Sequence, residues 1–214
     1  MRITEAARRR RSLYQLSFEG ADSVEVDVRT FDDSPYAVGT DITAEQLERL
    51  LSLSMYNRAH DRALYLLGLR DYACRELEQK LLTEADPETA ARVVERLRQL
   101  GLLDDERYAA HTARSLSAYK QYPRRRVEQE LRRRGVDGET ARAAAEELDT
   151  EDFQQALALI EKKYYNKLDS PESRQRVAAA LARRGFSYGA IRRAMEQFSA
   201  GQDTDSEEFD DIWQ

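Results

Sequence analysis

Nine side chains in two stretches of this sequence are of a kind that binds anions. Lys120, Tyr122, Arg124, Arg125, Arg126, Arg132 and Arg133 fall within fourteen residues, and Arg183 and Arg184 follow fifty residues after Arg133. A guanidinium is a planar fork of donors that fits phosphate and carboxylate oxygens, and an ammonium supplies a point charge. At about 100° per helical residue, Val127 and Leu131 point one way. Arg125 and Arg132 then point almost opposite them, and Arg126 and Arg133 share a flank. Such a face suits phosphates or acidic protein surfaces. It is equally compatible with a solvated helix surface, partly neutralised by Glu128 and Glu130. Arg192 and Arg193 extend the second stretch in the same way. Tyr119, Tyr122, Tyr164 and Tyr165 lie beside the bases, where an aromatic ring can stack on a nucleobase, anchor an interface or simply pack at a helix end.

Other reactive residue types are sparse. Asp104-Asp105-Glu106 looks like an acidic cluster for a cation, but it stands where a helix must begin, so capping explains it better. His60 and His111, the two histidines, have no ligand pattern around them, and Cys74 has no CxxC partner. No GxGxxG, P-loop or GxSxG motif is present, so nucleotide-dependent and hydrolytic enzymes are not suggested. No cofactor, metal or catalytic residue is expected. A single cysteine suits a reducing compartment, and no apolar run has the length of a membrane span. The expectation is a soluble cytoplasmic monomer that is not an enzyme.

The elements that must position these residues follow from an internal repeat. Leu131, three arginines, Gly135 and Val136 are echoed by Leu181, Ala182, Arg183, Arg184, Gly185 and Phe186, and more weakly by Glu76 to Leu81. A period near fifty marks a repeat architecture. Gly and Pro number only 9 and 4 in 214 residues, so long uninterrupted helices are expected. The predicted fold is mainly α, with three tandem three-helix repeats over 56–103, 104–149 and 150–199. A first segment, 1–55, is predicted to hold a β-hairpin (Leu13–Phe18 with Val24–Val28), then a helix capped by Thr43 with Leu47, Leu50 and Leu51 on one face. Residues 1–12 read as loose. Asp71 is the expected cap of the second helix in the first repeat, and Asp86-Pro87 opens the third. The loop before the last repeat's second helix contains Asp169-Ser170-Pro171. Net charge is −6, and residues 203–214 hold six acids and no base, leaving 34 acids and 34 bases elsewhere. Residues 200–214 read as an acidic disordered tail with Phe209, Ile212 and Trp213 as sticky points, able to compete with nucleic acid for the basic faces.

The order and spacing of several stretches resemble the bacterial regulatory RecX family. They are Ala63–Arg70, Glu76-Leu77 to Lys80-Leu81, and Leu100-Gly101-Leu102-Leu103-Asp104-Asp105-Glu106-Arg107-Tyr108-Ala109. Pro123–Val127 to Arg134-Gly135-Val136, Lys162-Lys163-Tyr164 and Arg183-Arg184-Gly185-Phe186 complete the set. The resemblance covers about 56–198. Gln121-Tyr122 stand before Pro123 where many members have glycine. The resemblance implies an elongated, curved helical molecule. It also implies a partner, the RecA filament on single-stranded DNA, whose recombinase and ATPase activities such proteins mostly inhibit. Roles in homologous recombination, DNA repair and the SOS response go with it. The alternative is a helical-repeat protein that binds DNA independently of RecA. In either case the nine residues named first are the expected RecA or DNA contacts.

Overall fold

The computed structural model describes residues 1–10, 12–149, 151–168 and 170–210, without the side chains of Arg10 and of 200–210. The chain divides into two compact units, Met1–Asp104 and Asp105–Gln214.

The first unit opens with an antiparallel sheet of three strands in the order β1 (Ile3–Arg10), β2 (Leu13–Phe18) and β3 (Ala21–Asp27). The predicted hairpin is β2 with β3, turned at Gly20, whose φ is 73°. The extra strand is a correction: the segment read as loose pairs with β2 from Ile3 opposite Phe18 to Arg10 opposite Leu13. Its basic composition hid it, but Ile3 is fully buried with Leu16, Val26, Phe31, Ile42 and Leu50, so one apolar residue anchors it. A short helix, α1 (Val28–Asp32), follows. Asp27 caps it through the Thr30 amide, and the Asp27 amide donates to Ser54 Oγ at 2.7 Å.

Ser54 belongs to α2 (Ala44–Leu67), which Thr43 and Gln46 open with a reciprocal capping box. Two separate helices were expected here, with a boundary at residue 55. One continuous helix of 24 residues replaces them. Nothing between Thr43 and Leu67 breaks a helix, and both halves have something to bury against. Leu50 packs on the sheet, whereas Ala59, Ala63 and Leu66 join a second core with Leu77, Leu81, Val93, Leu97 and Leu103. That second core belongs to α3 (Cys74–Leu81) and α4 (Pro87–Gln99). The N-cap of α3 is Ala73, with no side-chain cap bond, so Asp71 does not take that role. Asp86 caps α4 through the Thr89 amide at 2.9 Å, with Pro87 in the first turn.

The second unit holds two modules built alike. The first is α5 (Asp105–Lys120), α6 (Arg124–Arg133) and α7 (Gly138–Glu146), which pack on one another. The other is α8 (Asp152–Lys163), a 3-10 turn at Tyr165–Lys167, α9 (Pro171–Arg183) and α10 (Tyr188–Asp210). The repeat is visible atom by atom at the ends of α6 and α9. Gly135 (φ 91°) and Gly185 (φ 100°) take the left-handed backbone, and the next amides, of Val136 and Phe186, donate back to Leu131 and Leu181. This is the closure that a glycine one residue past the cap allows, with the following apolar residue folded over the last turn. Asp137 caps α7 as Asp86 caps α4, each through a threonine amide.

The backbone of α10 continues to Asp210, into the stretch 200–214. Gly201 is the weakest helix former there, and no proline interrupts the run. The side chain of Phe209, the acidic side chains up to Asp210, and all of Ile212 and Trp213 lie outside the described residues, as do Arg11, Thr150 and Asp169.

Candidate nucleic-acid interface

Three helix C-termini meet in the second unit. α5 ends on Lys120, α8 on Lys162 and Lys163, and α9 on Arg183. Cations are stabilised in the last turn of a helix, where carbonyl groups leave a negative partial charge. Each helix is thus locally content with its own basic end, and tertiary packing collects them.

Four links set that packing. Gln155 on α8 donates to Ser117 Oγ on α5 at 2.6 Å, with both residues buried. The Arg124 amide donates to Asp152 Oδ1 at 3.0 Å, and its guanidinium to the Leu148 carbonyl at 2.6 Å. The turn after α9 presses on the start of α6. A Cβ placed on Gly185 would lie 3.1 Å from Arg126 Cβ and 3.6 Å from Pro123 Cγ. Gly185 is therefore required twice, for its backbone conformation and for the close approach. Gly185→Ala is expected to cost about 1–2 kcal/mol from the left-handed backbone alone, measured by urea denaturation, and to spread the two modules.

Between them lies a cavity of about 430 Å³, lined by Tyr119, Lys120, Gln121, Tyr122, Arg126, Lys162, Lys163, Arg183 and Arg184. Six of the nine are cations and none is an acid. Among the described residues, none of the six has a carboxylate within salt-bridge distance. Lys120 Nζ and the Arg126 guanidinium lie 5.7 and 5.6 Å from the centroid of the Tyr122 ring. Tyr119 is 87% exposed on the rim.

The turn that presents Tyr122 is unusual in its backbone. Gln121 has φ 52°, the single positive value on a non-glycine among the described residues. Its amide donates to Ser117 O, that of Tyr122 donates to Leu116 O, and Pro123 then starts α6. A glycine at this turn would carry no steric penalty. Gln121→Gly is expected to raise stability by about 0.5 kcal/mol, relief of the left-handed cost outweighing the added freedom of the unfolded chain. A small rise in melting temperature would show it.

The nine residues proposed from the sequence divide accordingly. Lys120, Tyr122, Arg126, Arg183 and Arg184 line the cavity. Arg124 ties the two modules together, as described. Arg132 pairs with Glu128 at 2.8 Å, and Arg133 meets Glu130 at 2.7 and 3.0 Å. Arg125 is exposed and outside the cavity lining. Of the further bases, Arg193 lies 4.1 Å over the Phe153 ring and Arg192 pairs with Glu196. Tyr119, Gln121, Lys162 and Lys163 are the lining residues that sequence reasoning left out of the site. Their signal was their place at first-helix C-termini in successive repeats. Tyr164 and Tyr165 go elsewhere, packing in the third module, where Tyr165 meets Phe198 edge to face at 5.7 Å.

Glu130 is the internal anion of this region. It is buried, accepts from Arg133 and Arg134, and its pKa is lowered from 4.5 to about 2, first by the Arg133 hydrogen bonds and then by Arg134 against the opposing cost of burial. Among the described residues, no group of three His, Cys, Asp or Glu is placed to hold a metal, and no helix is long and apolar enough to cross a membrane.

The chain matches the model of the RecX second three-helix domain over 104–144 and that of the RecX third three-helix domain over 149–195. The regulatory protein RecX of Trichlorobacter lovleyi is 36% identical over 141 residues, which are 63% of this chain and 92% of that protein. This chain belongs to the RecX family. The RecX of Prosthecochloris aestuarii is 32% identical over 148 residues, 69% of this chain and 97% of that one. A crystal structure of a regulatory protein RecX shares the fold, with a TM-score of 0.67 at 20% identity, over 92% of this chain and all of the other. The two RecX domain matches fall on the α5–α7 and α8–α10 modules, and the cavity lies between those modules.

Proposed function

We propose that this RecX-family chain binds the RecA filament on single-stranded DNA and restrains its recombinase and ATPase activity, by binding and without catalysis. The cavity between the second and third modules is the proposed contact with the DNA backbone. The observation that carries this is the gathering into one concave site of two tyrosines and six cations, none of them within salt-bridge distance of a carboxylate among the described residues. Phosphate contacts supply affinity without regard to sequence, and rings accept any base face. In this reading the protein works in the cytoplasm as a monomer, in recombination and repair.

A second reading is binding to DNA without RecA, favoured by the same cavity, which needs no protein partner to attract phosphate. One experiment separates the two: RecA's ATP hydrolysis on single-stranded DNA, with this protein added below stoichiometry, beside its affinity for bare and RecA-coated DNA at one salt concentration. Suppression of hydrolysis with preference for the coated strand supports the filament reading. Unchanged hydrolysis with tight binding to the bare strand supports the other.

A further inference from the structure

The charge in the cavity exceeds what a passing strand requires. Six cations face it, and the three helix C-termini behind them each contribute about −0.5, leaving a net near +4.5. The site is about 430 Å³ in volume. A strand brings one charge per ~3.4 Å even when stacked, so only two or three phosphates fit within that space. The chain of a nucleoside triphosphate concentrates about four negative charges in the same space, counting roughly two on its terminal phosphate. The volume lies within the ~300–1,000 Å³ typical of small-ligand sites.

We propose that this cavity takes a free nucleoside polyphosphate, held by its phosphate chain on Lys162, Lys163, Arg126, Arg183 and Arg184, with its base on Tyr119. Two cations already stand 5.7 and 5.6 Å from the Tyr122 ring centroid, whereas Tyr119 is 87% exposed. Tyr119 is therefore the ring left for stacking. The nucleotide and the DNA backbone would occupy one site, so nucleotide binding excludes DNA there. This inference rests on the cavity that the DNA reading uses, but it requires nothing of RecA.

The test is calorimetric titration of the full chain with ATP, AMP and inorganic tripolyphosphate at constant ionic strength, without divalent cations. A labelled oligo-dT is then displaced by each, followed by fluorescence polarisation. ATP is expected to bind at least tenfold tighter than AMP and a few-fold tighter than tripolyphosphate. The advantage over tripolyphosphate should vanish in Tyr119→Ala. Lys162→Ala with Lys163→Ala, both exposed positions, should weaken ATP and tripolyphosphate together by tenfold or more. ATP and AMP binding equally, or displacing DNA no better than sodium chloride of the same ionic strength, would overturn the proposal. Tripolyphosphate matching ATP in both the unaltered chain and Tyr119→Ala would overturn the assignment of a nucleoside. Oligonucleotide binding with no heat from ATP sinks this inference and leaves the DNA reading standing. ATP uptake without oligonucleotide binding does the reverse.

Discussion

Replacing Lys162 and Lys163 together by glutamate is expected to weaken binding to single-stranded DNA by at least tenfold near 0.1 M salt. Both side chains line the cavity, both are exposed, and neither is paired with an acid among the described residues. The change therefore removes two phosphate contacts and adds two repulsions without disturbing a core. With two or three phosphates in the cavity, log K should fall against log salt with a slope of about −2, and losing the lysine contacts should make it shallower. Arg125→Ala and Arg132→Ala should change affinity by less than about threefold, the small effect usual for an exposed, screened or already paired charge. Arg125 lies outside the cavity, and Arg132 is already paired with Glu128. Equal losses from the two pairs of substitutions would locate binding on the outer face of α6 instead.

Glu130→Gln is expected to lower stability at pH 7 by about 3 kcal/mol, the equivalent of the fall in its carboxyl pKa from 4.5 to about 2. The folded pKa is depressed, so this contribution is present above the unfolded value of 4.5 and is lost as the pH falls through the folded one. Urea denaturation from pH 7 to 3 should show the gap between the two proteins narrowing, with about half of it gone by pH 3. A gap independent of pH would mean that the carboxylate charge contributes nothing. Neither Glu130 nor Arg133 lines the cavity, so polyanion binding by the folded protein should hold steady while stability falls, a split that general unfolding cannot produce.

The ion pairs that occupy Arg132 and Arg133 were within reach of sequence reasoning. Glu128 and Arg132 are four residues apart and Glu130 and Arg133 three, the spacings at which helical neighbours meet. Reading Glu128 and Glu130 as partial neutralisation of the run as a whole does not assign each acid to its arginine. β1 was harder to see, because a strand with one buried apolar residue and five bases in or beside it carries almost no alternation to read.

The sequence by itself determined the helices, their periodic cores and the glycine closures at Gly135 and Gly185. Each depends on residues within a turn or two of one another, where backbone sterics and apolar spacing act directly. It also determined that basic residues stand at helix C-termini, a preference of the local dipole. Only the tertiary structure decided that Lys120, Arg126, Lys162, Lys163, Arg183 and Arg184 face one cavity. That meeting depends on Gln155 reaching Ser117 across 38 residues, on Arg124 reaching Leu148 and Asp152, and on Gly185 admitting α6 to van der Waals contact. Those contacts join residues far apart in the chain, and no period in the sequence encodes which helix ends they bring together.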